Sequence, residues 1–182
     1  MPKNLFMVLL GCKPEGRFIE QHDIYFGIAE ELPELKNDMI EYWPQARGKL
    51  HIDAWKKITY VEGYTILVRP RNDAAEQRNK LFFVNLGGYR ENDFEEYHFK
   101  QLVVAESLEL ASRLAKKTRF FIDHISPHID DKYGLDVDDI FDVEDIISPS
   151  LRAQYSLEIV PIDSNLALED TPNIGYLKFS DF

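Results

Sequence analysis

Cysteine and net positive charge are what this chain has least of, and each shortage excludes something. A single thiol, Cys12, rules out an internal disulfide framework and fits a reducing compartment. Lys and Arg number 21 against 32 Asp and Glu, a formal net charge of -11. A protein that grips a phosphate backbone needs a concentrated basic face, so nucleic acid is not an expected partner. Acidic excess instead favours solubility and cationic ligands. Long apolar runs are missing too: nothing approaches the ~18 consecutive apolar residues of a membrane-spanning helix. The six apolar residues at 5–10 fall short of a signal segment, with no small-residue cleavage site behind them. A cytoplasmic protein with no membrane association is the expectation.

What is present is enough apolar material for a core. With 182 residues, 45% of them hydrophobic, the chain can fold as one sizeable core or as two small interlocked subdomains. Histidine is scarce, yet four of the five histidines sit in two short motifs that each occur twice. Glu20-Gln21-His22 is echoed by Glu96-Tyr97-His98, and His51-Ile52-Asp53 by His128-Ile129-Asp130. The offsets are 76 and 77 positions, so order and spacing are kept. Residues 5–30 aligned without gaps on 81–106 share eleven identities in 26 positions, which reads as an internal duplication.

Each unit opens with an apolar run, 5–10 or 81–86, closed by a glycine, as a buried strand would be. The stretch that carries Glu-x-His continues into a second strand. A helix follows: 32–43 in the first unit, with Pro33 tolerated in its first turn, and 108–121 in the second, capped by Ser107. The His-Ile-Asp motif then opens another extended segment. In the first unit this segment turns at Glu62-Gly63 and returns through 64–68 as a hairpin. The expected architecture is therefore α+β: two β-β-α-β-β units with antiparallel sheets, related by a pseudo-twofold axis and open to strand exchange. The boundaries are 4–68 for the first unit, 69–80 for a linker, 81–147 for the second unit and 148–182 for a C-terminal extension that packs strands on the repeats.

On a strand, residues i and i+2 point to the same face. Glu20 with His22, and His51 with Asp53, therefore each present an acid and an imidazole together, as do Glu96 with His98 and His128 with Asp130. Two readings stand. The set is a ligand site, with His22, His51, His98 and His128 as candidate ligands of a divalent metal or as bases oriented by carboxylates. Alternatively each pair is a hydrogen bond that serves packing, which a duplication would retain just as well.

Other motifs carry less. The stretch Gly11 to Arg17 has two glycines, but a phosphate loop needs Lys and then Ser or Thr after the second, where Arg17 and Phe18 stand; turn chemistry accounts for Gly11 and Gly87. Cys12 reads as a small residue at a strand end. The acids from Asp136 to Asp145 interleave with Val137, Ile140, Val143 and Ile146 and lack the glycine of a calcium loop, which reads as an amphipathic element with a solvated acidic face. Trp43, Trp55, Tyr25, Phe26 and Tyr97 read as core or inter-repeat contacts.

The openings Leu-Phe-Met-Val-Leu-Leu-Gly-Cys-Lys-Pro at 5–14 and Leu-Phe-Phe-Val-Asn-Leu-Gly-Gly-Tyr at 81–89, with Glu-Glu-Tyr-His at 95–98 and His-Ile-Asp-Asp-Lys-Tyr-Gly-Leu-Asp-Val-Asp-Asp at 128–139, resemble a small bacterial family of uncharacterised proteins classed as domain of unknown function 1543. The resemblance implies an α+β fold, two copies of the domain here and no assigned activity, with no catalytic residues to carry over. The functional expectation is a non-catalytic module that binds a small ligand or a protein, with no established cofactor beyond a candidate divalent metal. The alternative is a metal-dependent hydrolase that uses the doubled motifs.

Overall fold

The computed structural model describes residues 2–72, 77–118, 122–123, 125–129, 139–162 and 170–181. The chain divides into two compact units, Met1–Asn72 with Ile147–Phe182, and Asp73–Ile146. All strand pairings among the described residues are antiparallel, and short helical segments accompany the sheets, so the protein is α+β.

In the first unit, β1 (Asn4–Cys12) lies between β2 (Gln21–Ala29) and β3 (His51–Ile58), and β11 (Asn173–Lys178) extends the sheet beyond β3. The apolar run of β1 serves two sides of the sheet because successive side chains alternate. Phe6, Val8, Leu10 and Cys12 pack with Tyr25, Ala29 and Ile52 against Leu32, Leu35 and Met39. Those last three come from a 3₁₀ turn, Leu32–Leu35, that runs into α1 (Lys36–Tyr42). Pro33 sits in the first turn, where its missing N–H costs nothing, and Glu34 Oε1 accepts the Glu31 backbone N–H at 3.0 Å.

A second sheet of the same unit joins β4 (Tyr60–Val61), β5 (Tyr64–Pro70) and β10 (Tyr155–Pro161). The turn between β4 and β5 is Glu62-Gly63, both at positive φ (46° and 91°), which is the two-residue geometry that matches strand twist. Sequence alone runs β3 into this hairpin. In the structure the strand breaks at Thr59, where the Asp170 carboxylate accepts the backbone N–H groups of Thr59 at 2.7 Å and Tyr60 at 3.0 Å. Amides that a continuous ladder would have used are satisfied by a side chain instead.

In the second unit, β6 (Lys80–Tyr89) pairs with β7 (Glu96–Ala105), β8 (Ile125–Ile129) and β9 (Ile140–Asp142). Phe82, Val84 and Leu86 meet Val103, Ala105 and Ile140 and are covered by Ala111 and Ala115 of α2 (Leu108–Ala115). Ser107 Oγ accepts the Leu110 N–H at 3.2 Å, the cap expected at this end. The described helix ends earlier than the periodicity predicts: Thr118 Oγ1 donates to the Ala115 carbonyl at 2.9 Å and closes the last turn, and residues 119–121 lie outside the described residues. The acidic stretch resolves into strand β9 followed by a one-turn helix, Val143–Ile146, with Ile140 and Val143 buried. Its residues 136–138 lie outside the described residues. Among the described residues no helix is long and apolar enough to cross a membrane.

Two substitutions probe these cores. Phe6→Ala empties a fully buried ring at the centre of the first unit's core and is expected to cost ~3–5 kcal/mol in urea denaturation. Ser107→Ala removes one cap and is expected to cost ~1 kcal/mol, with faster hydrogen exchange at the Leu110 amide as its local signature.

Candidate functional site

Four of the candidate residues meet in the first unit, on the face of its sheet opposite the helical core. Gly11 in β1 stands directly opposite His22 in β2 and directly opposite His51 in β3. The three residues form one row across the sheet, with neighbouring strands ~4.8 Å apart. Glu20 immediately precedes β2 and shares the His22 side of the strand. Asp53 sits in a β-bulge: Leu9 pairs with Ala54 and Leu10 with Ile52, which leaves Asp53 as the extra residue. A bulge re-aims a side chain, and this one brings the Asp53 carboxylate over the row.

The result is a ring in which bases and acids alternate. His51 Nε2 lies 3.1 Å from Glu20 Oε1 and 3.4 Å from Asp53 Oδ1. His22 Nε2 lies 3.3 Å from Asp53 Oδ2 and 3.7 Å from Glu20 Oε2. Its two halves differ in burial: the His51 side chain is 5% exposed and that of Asp53 25%, whereas His22 and Glu20 are 42% and 43% exposed. His51 Nε2 and Asp53 Oδ2 are buried with no hydrogen bond in acceptable geometry, although the ring partners are close. Among the described residues no three His, Cys, Asp or Glu side chains stand gathered around one metal position.

Gly11 is the floor of the ring. A Cβ built there would run into the Asp53 carboxylate and the His51 imidazole. The turn role expected for this residue is therefore corrected: Gly11 is inside β1, paired on both sides, and its use is the absence of a side chain rather than an unusual φ. Gly87 likewise lies inside β6 and not at a strand end.

One participant had no signal in the motifs. Tyr176 of β11 stacks on His51, ring centroids 4.4 Å apart and planes at 35°. It occupies a second bulge, between Ile174 and Leu177, beside Gly175 at φ 142°, a conformation that residues with side chains rarely adopt. A glycine beside an aromatic in the tail was the available clue, but nothing in sequence tied it to His51.

Cys12 is fully buried, and burial first, then the nearby Glu20 charge, push its thiol pKa up against the opposing pull of Lys49. A thiol so held stays protonated and is a poor nucleophile.

In the second unit the backbone repeats the row. Gly87 stands opposite His98 in β7 and opposite His128 in β8, the register that Gly11 has with His22 and His51. Glu96 opens β7, and His98 is exposed. Asp130 lies outside the described residues, as does the side chain of His128.

No curated protein matches the chain. Among solved structures, the crystal structure of a protein Il1583 from Idiomarina loihiensis is similar over 96% of each chain, with a TM-score of 0.57 and 23% sequence identity; at that identity the likeness concerns the fold. Residues 17–68, a stretch that holds Glu20, His22, His51 and Asp53, match the model of the family described as Domain of Unknown Function (DUF1543).

Proposed function

We propose that the protein is a non-catalytic binding module whose ligand site is the ring of Glu20, His22, His51 and Asp53. One observation carries the reading: a buried imidazole nitrogen and a buried carboxylate oxygen face the same small space without a hydrogen bond. Leaving a buried polar atom unsatisfied costs ~1–3 kcal/mol, and an occupant that bonds to both removes that cost. Two carboxylates and two imidazole lone pairs make the space electron-rich, so the occupant is a cation or a strong hydrogen-bond donor. The exposed pair, Glu20 and His22, gives it a way in. On this reading the second unit is a second copy of the domain, supported by the matching registers of Gly11 and Gly87.

The purely structural alternative makes a different forecast, and Gly11→Ala separates the two. A methyl group at this position displaces the ring at a cost of ~1–3 kcal/mol while leaving the strand ladder intact. Titration calorimetry and thermal shift against a panel of divalent cations, amines and common metabolites are expected to find a ligand for the wild type and none for Gly11→Ala at the same sites, with unchanged circular dichroism. A wild type silent across the panel, with Gly11→Ala altering stability alone, leaves the ring a packing device and overturns the reading.

A further inference from the structure

We propose that the ring is a site for one divalent transition-metal ion, with His51 and Asp53 as its fixed ligands and His22 and Glu20 as the pair that closes on it. This names the occupant of the binding site proposed above and rests on that reading.

The donor set selects the class of metal. Two imidazole nitrogens with two carboxylates suit zinc, iron, nickel or copper, whereas magnesium and calcium prefer oxygen ligands throughout. Two carboxylates also neutralise a dication, so the loaded site carries no net buried charge when both imidazoles are neutral.

The spacing suits a single ion. Bonds of about 2.0–2.2 Å to a tetrahedral ion place neighbouring ligand atoms roughly 3.3–3.6 Å apart. The four ring edges measure 3.1, 3.3, 3.4 and 3.7 Å. Each imidazole nitrogen therefore stands from the carboxylate oxygen it faces at about the separation of two ligands of the same ion, each carboxylate turning one oxygen to His51 and the other to His22. These separations also lie near or beyond the limit of ordinary hydrogen bonds, and His51 Nε2 makes none. The four side chains do not converge on a single point as they stand. What has to move is the exposed half: small rotations of His22 and Glu20, both more than two-fifths exposed, bring their donors inward. The other half is held in place, Asp53 by its bulge and His51 by the Tyr176 ring. Gly11 leaves the floor clear.

The test uses the full chain stripped with a chelator, with Co²⁺ as a spectroscopic probe and Zn²⁺ as competitor. The second unit has histidines of its own, so the readout is the equivalent lost on substitution in the first unit, not the total. The wild type is expected to bind Co²⁺ with ligand-field absorption that Zn²⁺ displaces. His51→Ala, and separately the exposed double substitution Glu20→Gln with His22→Gln, are each expected to lose one equivalent, a weakening beyond the ~10–100-fold that changes outside the ligand shell produce. The double variant covers the case in which His51→Ala does not fold, since neither exposed side chain supports the core. Co²⁺ binding that is absent from the wild type, or identical in wild type and double variant, overturns the metal. If metals are silent while an organic ligand binds the wild type and not Gly11→Ala, the metal fails and the binding site stands; if nothing binds, both fail.

Discussion

A central strand that carries no side chain at one position is the constraint on which the candidate site depends. Side chains on three adjacent strands at the same register stand ~4.8 Å from their neighbours, too close for three large groups to converge above the middle one. With any Cβ at position 11, the Asp53 carboxylate and the His51 imidazole lose the space they occupy. With glycine there, His22 and His51 lean inward from either side, and the two carboxylates fill the gaps between them. The glycine weakens β1 slightly through its backbone entropy, but the strand is paired on both edges and its even-numbered residues are locked into the helical core, so the weakness is contained.

That division of labour runs along the whole of β1. Phe6, Val8, Leu10 and Cys12 supply packing on one face, and Gly11 supplies emptiness on the other. Because strand side chains alternate, the two duties do not compete, and the chemistry sits on a rigid base. Two bulges then adjust what a regular ladder would have misplaced. One turns Asp53 over the row, and the other, next to Gly175, delivers Tyr176 to the face of His51. Bulges beside a constellation of polar groups are a known way to shift a side chain relative to its cross-strand neighbours.

Much of this was legible in the sequence, and the limits follow from range. The apolar runs, the Ser107 cap, the Glu62-Gly63 turn and the same-face pairing of Glu20 with His22 and of His51 with Asp53 depend on residues a few positions apart, where periodicity and turn chemistry speak directly. The repeated spacing of Gly11, His22 and His51 against Gly87, His98 and His128 pointed to the right strands, and the registers agree. The purpose of Gly11 was not legible, because a glycine after an apolar run reads as punctuation unless the neighbours on both sides are known. Nor was Tyr176, which lies more than a hundred residues from His51 along the chain, nor the break at Thr59, which depends on an Asp170 carboxylate equally remote. Local signals place elements; contacts closed by long loops leave no local trace.

The strongest argument that the ring is more than packing lies in how badly it is closed. A hydrogen-bonded His-carboxylate pair kept only for stability settles at a good distance and angle, since each such bond to a charged group contributes ~1.5–3 kcal/mol. Here the groups are within reach, two of the four are more than two-fifths exposed, and still His51 Nε2 and Asp53 Oδ2 remain unbonded in a buried position. Folded proteins leave few such groups, and each calls for an explanation. The unsatisfied atoms belong to the buried half of the ring, beside the bulge and the tyrosine, and not to the exposed half. In the binding site proposed above, the buried pair would set the position of an occupant and the exposed pair would supply the remaining bonds.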